Sequence, residues 1–412
     1  RGGVRGGTLP GRLSRIRWGI GHRLWQDDRL VKYVICIPDG CADLPVPDLD
    51  GRTPLEAALT PNIDELAARA TVGRAAVIPE GMPPGSDVGN MSIFGFDPSR
   101  FHTGRAPIEV AALGVTLRPD QTAFRCNLVR VVDGVMVDYA GGNPDSAAAA
   151  EVIAELDRQL GDPDRGVSFL AGVSFRNAMI APAEYADAEC VPPHDLSGDP
   201  VVLPSGPAGG ILSEMMVASE EILAASDLQA TGIWLWGQGT QPRVPSFSET
   251  HGVSAGLVTA VDLVRGIGRL AGMEVCDIPG ATGWYDTDYE GKRDVALGEL
   301  AAGADLFIIH VEATDEAGHA GDVAAKVEAL ENWDRRIIAD LVPGLDALGP
   351  WRLLMLPDHA TPLTTRTHTG DPVPYLLVDS LVDGPGGSFT ERGVVDAPVV
   401  PGHQLMPRLL AG

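Results

Sequence analysis

The sequence predicts an α/β fold with a smaller α+β domain inserted into it. Three observations carry that prediction. Short apolar runs recur, at Tyr33 to Pro38, Leu306 to Val311, Leu353 to Pro357 and Val373 to Val378. Runs of this length that are apolar throughout read as buried strands. Helical periodicity stands between them, as over 322–341, where Val323, Val327, Leu330, Ile337 and Leu341 share a face. Finally, the texture changes from about Arg118 to Ala230. Short alternating strand candidates at 124–132, 167–170 and 174–180 mix there with helices at 146–160 and 213–225, and Pro and Gly gather around 192–210.

In chain order, the strand Tyr33–Pro38 leads through a Pro-rich loop to Thr60-Pro61-Asn62-Ile63-Asp64. Thr as N-cap, Pro at the first helical position and an acid in the first turn mark a helix start. Next, Gly81-Met82-Pro83-Pro84-Gly85 precedes Ser86. The Gly and Pro predict a tight turn that exposes the Ser86 hydroxyl, with a helix behind it. Such a serine is either a nucleophile or only a helix cap. After the inserted domain the α/β pattern resumes with a strand at 233–236, a helix over 252–271 and a strand at 275–278. Gly266, Gly268 and Gly272 fall inside helical periodicity with no strand leading into them, so they are not a dinucleotide loop.

The 412 residues are 44% hydrophobic and 21% charged, a globular composition with room for more than one domain. Acidic residues outnumber basic ones 56 to 31, for a net charge of −25. That balance argues against nucleic acid and anionic membranes as partners, and it means an anionic substrate needs locally placed cations. Five scattered cysteines without a CxxC pair suit a reduced, cytoplasmic protein. No apolar run approaches the roughly 18 residues of a membrane span. Residues 1–30 are Arg/Gly-rich and acid-poor. They read as a disordered extension outside the fold, with a transit peptide or upstream translated sequence as its origin.

The chemistry gathers at the ends of the apolar runs. Asp39 follows the first. Asp315 and His319 follow Leu306–Val311, four residues apart, so one helical turn puts carboxylate and imidazole on the same side. Asp358 and His359 follow Leu353–Pro357, and His368 lies ahead of Val373–Val378. Each is also an ordinary turn residue taken alone. Together they are ligand types for borderline divalent metals, placed where open α/β sheets bind ligands, and they suffice for two ions.

These residues also carry a resemblance. Pro38-Asp39-Gly40, Thr53 to Ala58, Pro84-Gly85-Ser86-Asp87, Gly104 to Glu109, Phe124-Arg125-Cys126-Asn127, Pro192-Pro193-His194-Asp195, Trp234 to Gly239, Pro279 to Gly283, Thr314 to His319, Asp358-His359 and Asp371 to Pro374 run in family order. They resemble the cofactor-independent phosphoglycerate mutases of the archaeal type, within the alkaline phosphatase superfamily. The resemblance implies an alkaline-phosphatase-like three-layer α/β/α core over 31–118 and 231–412, with a substrate-capping domain over 119–230. It implies that Ser86 is the phosphorylated nucleophile. It pairs Asp39, Asp358 and His359 with Ser86 around one metal ion, and Asp315, His319 and His368 around the other. Lys292, in Tyr289-Glu290-Gly291-Lys292, is similar to the family's active-site lysine. Arg105, Arg125 and Arg176 are candidates for phosphate and carboxylate binding, with surface salt bridges as the alternative, and His194 and Asp195 complete the substrate set. The chain departs from the family pattern at Asn90, Gly142 and Thr314.

The implied reaction interconverts 3-phosphoglycerate and 2-phosphoglycerate through a phosphoserine, with two divalent ions and without 2,3-bisphosphoglycerate. Mixed His and carboxylate ligation fits Mn2+, Zn2+ or Co2+ better than Ca2+, and the resemblance favours Mn2+ or Mg2+; Mn2+ comes first. Two rival readings stand beside it. One is another phosphotransferase, phosphatase or phosphonate-acting enzyme on the same scaffold, acting on a different small phosphorylated acid. The other is a non-catalytic binding protein, against which the intact serine and ligand set speak.

Overall fold

The structure is a computed structural model that describes residues 31–411. The extension expected over 1–30 lies outside the described residues. Among the described residues thirteen strands form two sheets. The larger sheet contains β1 (Lys32–Pro38), β2 (Thr71–Ala76), β8 (Ala255–Val258), β9 (Glu274–Cys276), β10 (Leu306–Val311), β11 (Trp351–Met355), β12 (Val373–Asp379) and β13 (Val399–Pro401). The smaller one contains β3 (Gln121–Val132), β4 (Val135–Asp138), β5 (Ser168–Val173), β6 (Arg176–Pro182) and β7 (Gly232–Thr240).

The strand order of the larger sheet is β13-β2-β12-β11-β1-β10-β8-β9. All its neighbours pair in parallel except β12, which is antiparallel to both β11 and β2. Successive residues of β1 and β10 enter opposite cores. Val34, Cys36, Phe307 and Ile309 pack on one face, with the helices Tyr289–Ala302 and Val323–Asn332. Ile35, Ile37, Leu306 and Ile308 pack on the other, with the helices Ser86–Ile93 and Asp262–Leu270. Burial on both faces is why these strands are apolar throughout, and it yields three layers, helix on sheet on helix. The smaller sheet has its own core with the helices Ser146–Leu160 and Gly209–Ala224. It is the α+β insertion.

Three expectations change. The strand expected to reopen the core at 231 is β7, which pairs antiparallel with β3 along most of its length. The chain therefore re-enters the larger sheet only after Thr240. An apolar run such as Ile233 to Trp236 does not reveal which sheet it joins. The helix expected over 252–271 is a strand, β8, followed by the helix Asp262–Leu270. Gly256 suits the strand, because a Cβ there would lie 2.6 Å from the Phe307 ring on β10. The helix expected over 322–341 is interrupted by a π turn at Trp333–Ile338 before it continues over Ala339–Leu348. Among the described residues no helix is long and apolar enough to cross a membrane.

The direction of β12 matters for function. β1, β2, β10 and β11 point their carboxyl ends to one edge of the sheet. Because β12 runs the opposite way, its amino end reaches that same edge. Residues after β1, β10 and β11 and residues before β12 therefore converge, although they are far apart in sequence.

Candidate active site

Asp39 follows β1, and Asp358 and His359 follow β11. Ser86 opens the buried helix Ser86–Ile93, so its hydroxyl sits at the positive end of that helix. Gly89, one turn in, lets the helix approach closely: a Cβ there would fall 1.9 Å from the Asp358 carbonyl oxygen. His359 Nε2 lies 3.2 Å from Ser86 Oγ, 3.4 Å from Asp39 Oδ1 and 3.6 Å from Asp358 Oδ2. Asn90 Nδ2 donates to Asp358 Oδ2 at 2.7 Å and to the Ser86 carbonyl at 2.9 Å. Gly40 N donates to Asp358 Oδ1 at 3.3 Å.

A second group stands beside the first. The helix Ala313–Ala320 does put Asp315 and His319 on one side, with His319 Nε2 3.3 Å from Asp315 Oδ2. His368 Nε2, arriving ahead of β12, lies 3.5 Å from Asp315 Oδ1 and 2.9 Å from His319 Nε2. Ligand atoms of Asp315, His319 and His368 lie within 4.8 Å of one another, as do those of Asp39, Asp315 and His359. The two groups thus share a border at Asp315.

Thr361 ties the groups together, and sequence reasoning missed it. Its hydroxyl donates to Asp315 Oδ1. With that proton committed, Thr361 Oγ1 accepts from His359 Nδ1 at 3.1 Å. His359 Nε2 is then the bare nitrogen, facing Ser86 Oγ. Burial pushes the His359 imidazole down to about 4, so it stays neutral. His319 Nδ1 donates to the Arg366 carbonyl at 3.0 Å, and its Nε2 is turned to the cluster. Burial works to lower His319, but its bond to Asp315 outweighs that and lifts it to about 9. Burial likewise works to raise Asp315, and the His319 and His368 contacts win and hold it well below the carboxylate range.

The donor set fits two divalent ions. Asp39 and Asp358 are 1% and 0% exposed, and Asp39 Oδ1 has no hydrogen-bond partner. Burial, then the charges of Asp358 and Asp315, push the Asp39 carboxyl well above its usual range. Buried carboxylates crowded this way, with imidazole nitrogens turned toward them, are relieved by a cation.

Near the ligand set, β3 and the helix Arg105–Ala112 bring Arg125 and Arg105 together. Glu109 holds two arginines, with Oε2 3.0 Å from Arg125 Nε and Oε1 3.4 Å from Arg105 Nε. The Arg125 guanidinium stacks over Trp236 at 4.4 Å and that of Arg105 at 6.0 Å. Burial lowers Arg125 to about 10, which leaves it charged at neutral pH. The His194 ring stands edge-on to Trp236 at 5.2 Å. Burial, supported by the charges of Arg105, Arg125 and His368, lowers its pKa against the pull of Asp195. The field of His368 at His194 marks the side from which the patch faces the ligand set. Arg176 is exposed and lies over Phe175 at 4.7 Å, and its charge acts on both Arg125 and Glu316. Asp195 is exposed, 3.6 Å from His194. Beside the serine, His102 Nε2 meets Asp87 Oδ2 at 2.8 Å. Burial works to raise Asp87, but that bond and the charge of Arg105 hold it at about 2.

Lys292 is the exception among the expected residues. It is 0% exposed, and Nζ bonds the His310 carbonyl at 2.9 Å and Glu312 Oε2 at 3.2 Å. It does not join the cationic patch. A lysine inside an amphipathic helix reads as exposed, and only the packing of Tyr289–Ala302 on β10 buries it. His310 and Glu312 were missed as well. A histidine inside the otherwise apolar strand Leu306–Val311 was the available signal. The family departures have structural partners: Thr314 Oγ1 donates to the Asp39 carbonyl, Asn90 orients Asp358, and the Gly142 amide donates to Asp138 Oδ2 at 2.7 Å.

The family model of 2,3-bisphosphoglycerate-independent phosphoglycerate mutase matches residues 67–228. The enzyme of that name from Methanothrix thermoacetophila is 42% identical over 401 residues, covering 93% of this chain and 100% of that protein. The 2,3-bisphosphoglycerate-independent phosphoglycerate mutase 2 of Methanothermobacter thermautotrophicus is 44% identical over 369 residues, covering 86% of this chain and 90% of that one. Among solved structures, the PH0037 protein from Pyrococcus horikoshii matches with a TM-score of 0.77 at 28% identity, covering 92% of this chain and 96% of that chain. With relatives this similar over nearly their whole length, the chain belongs to the 2,3-bisphosphoglycerate-independent phosphoglycerate mutase family.

Proposed function

We propose that this chain interconverts 2-phosphoglycerate and 3-phosphoglycerate without 2,3-bisphosphoglycerate, with Ser86 as the carrier of the phosphoryl group. The observation that carries the reading is the placement of Ser86 Oγ, 3.2 Å from His359 Nε2 within a buried carboxylate and imidazole set. Asp39, Asp358, His359 and Ser86 would hold one divalent ion and Asp315, His319 and His368 the other, with Mn2+ the first choice. When bound, the ions supply Lewis-acid charge that favours the serine alkoxide and offsets charge on the phosphoryl oxygens.

The chain's own residues do the rest. Asn90 and the Gly40 amide hold Asp358 in place, and Thr361 fixes the His359 tautomer. Arg105 and Arg125, stacked on Trp236 and aligned by Glu109, offer planar donors to the phosphate and carboxylate of a small trianion. Arg176, His194 and Asp195 stand at the edge of that patch and add donors for the substrate. Once the Ser86 oxygen bonds phosphorus and the bond to the glycerate oxygen breaks, the glycerate must stay, turn and attack from its other hydroxyl. The capping domain keeps it enclosed and keeps water from the phosphoserine, which separates a mutase from a phosphatase. A serine charged by the substrate itself requires no priming phosphate donor. Five unpaired thiols suit a reducing, cytoplasmic setting for such an enzyme.

The test couples the purified protein to enolase, with 3-phosphoglycerate, Mn2+ and no 2,3-bisphosphoglycerate. Phosphoenolpyruvate should form, and Ser86→Ala should abolish it together with any trapped phosphoprotein. Release of inorganic phosphate with no isomer formed would overturn the reading.

A further inference from the structure

Thr361 touches both ligand groups, and what holds Thr361 lies deeper in the fold. Lys326, on the helix Val323–Asn332, sends Nζ to the Thr361 carbonyl at 2.7 Å and to Asp43 Oδ2 at 2.8 Å. Asp43 stands four residues after Asp39, on the loop that follows β1. Its two oxygens also accept from the Leu363 amide, each at 3.2 Å, and Oδ1 accepts from the Leu44 amide at 2.8 Å. The side chains of Lys326 and Asp43 are both 0% exposed, so neither reaches a substrate. The Thr361 amide donates to the Ala42 carbonyl at 3.2 Å. Gly318, on the helix that carries Asp315 and His319, packs against the same threonine, where a Cβ would fall 2.5 Å from the Thr361 carbonyl oxygen. The loop after β1, the loop after β11 and two helices thus meet at one residue.

We infer that Lys326 and Asp43 are positioning residues for the two-ion centre and act on it through Thr361. The inference rests on the two-ion reading of the site. With its amide held by Ala42 and its carbonyl by Lys326, the Thr361 backbone is fixed on both sides. A β-branched side chain has few χ1 wells. The Thr361 hydroxyl therefore has a set place, accepting from His359 Nδ1 at 3.1 Å and donating to Asp315 Oδ1. Those two contacts turn one imidazole Nε2 and one carboxylate toward the ions, and orientation by such outer partners is part of a metal site's affinity. An ammonium has the donors to serve the carbonyl and Asp43 at once. Asp43 supplies the countercharge without which a buried lysine is costly. Stability alone does not call for the pair, because matched neutral residues are often as stable as a buried ion pair. What the pair supplies is direction: it aims a threonine that in turn aims His359 and Asp315.

Lys326→Met by itself leaves Asp43 unpaired, so the variant tested is Lys326→Met with Asp43→Asn. Asn keeps an acceptor oxygen for the Leu44 and Leu363 amides, no charge is orphaned, and only the Thr361 carbonyl loses its donor. Mn2+ affinity is measured by calorimetry and by the loss of the free-ion electron paramagnetic resonance signal. It is compared in the wild type, in Thr361→Val, in the pair variant and in all three substitutions together. Thr361→Val should weaken Mn2+ by about 10- to 100-fold, the range for groups that orient metal-binding side chains. The pair variant should weaken it by about tenfold in the wild-type background. With Thr361→Val already present it should add less than about twofold, because the hydroxyl it aims is gone and the effects are not additive. Circular dichroism reports that each variant is folded. Equal weakening in both backgrounds would show a merely structural role and overturn the proposal. A pair variant that does not fold would overturn it too, by making the pair a requirement of the fold and not of the centre. Two wild-type sites with no effect of the pair variant, or none of Thr361→Val, would defeat this inference alone. No Mn2+ binding to the wild type would defeat the two-ion reading and this inference with it.

Discussion

Replacing Lys292 with Met tests how the centre is supported from beneath. Lys292 and Glu312 are 0% and 3% exposed, and Nζ lies 3.2 Å from Oε2. Burial works to raise the Glu312 carboxyl, yet the charge of Lys292, followed by the bond to His310, brings it down from 4.5 to about 2. Removing the ammonium leaves a buried carboxylate without its main partner, and breaking such pairs costs roughly 3–5 kcal/mol. Lys292→Met should therefore lower stability by that amount at pH 7, read as the midpoint of urea unfolding followed by tryptophan fluorescence. Adding Glu312→Gln removes the orphaned charge while keeping an acceptor for Thr259 and Ala260. The double variant should regain all but about 1–2 kcal/mol, since a buried pair and a matched neutral pair are often close in stability. The pH dependence has a definite sign. A carboxyl whose folded pKa is depressed contributes stability above its unfolded value of 4.5 and loses that contribution as pH falls toward 2. The gap between wild type and Lys292→Met should be full above pH 4.5 and shrink as pH falls through that window. A cost below about 1 kcal/mol at pH 7, no rescue by Glu312→Gln, or a gap indifferent to pH would refute the reasoning.

Three more outcomes follow from the site. Dialysis against a chelator should abolish turnover and Mn2+ should restore it, with elemental analysis approaching the two ions that the ligand groups allow; full activity without bound metal refutes this. Arg125→Ala should lower kcat/KM by roughly 100-fold or more because its guanidinium is buried and stacked, whereas exposed Arg176→Ala should cost roughly tenfold or less. Steady-state kinetics that reverse this order would remove Arg125 from the substrate site. Gly266→Ala should destabilise the protein by about 1–3 kcal/mol despite better helix propensity, because its Cβ would fall 1.9 Å from the Ile108 carbonyl. Ile108 lies on the helix that carries Arg105 and Glu109, so KM should rise as well; thermal unfolding and kinetics check both effects.

By itself the sequence determined the residue types of the centre and most of its local geometry. Asp39, Asp315, Asp358 and His359 follow apolar runs because parallel strands buried on both faces must end in polar loops at one edge. The four-residue spacing of Asp315 and His319 translated directly into one turn of helix. The change of texture from about Arg118 falls close to Gln121, where the smaller sheet begins, although β3 and β6 are buried almost throughout and do not alternate. Tertiary structure decided what depends on partners distant in sequence. His368 belongs with Asp315 only because β12 runs against its neighbours. β7 joined the smaller sheet because its pairing strand, β3, lies about a hundred residues earlier, which no local pattern records. Lys292 moved from candidate substrate cation to buried support because a helix face shows its burial only once it is packed on β10. Thr361 escaped notice for the same reason: a threonine in a loop becomes legible only when the carboxylate it bonds, Asp315, is brought beside it.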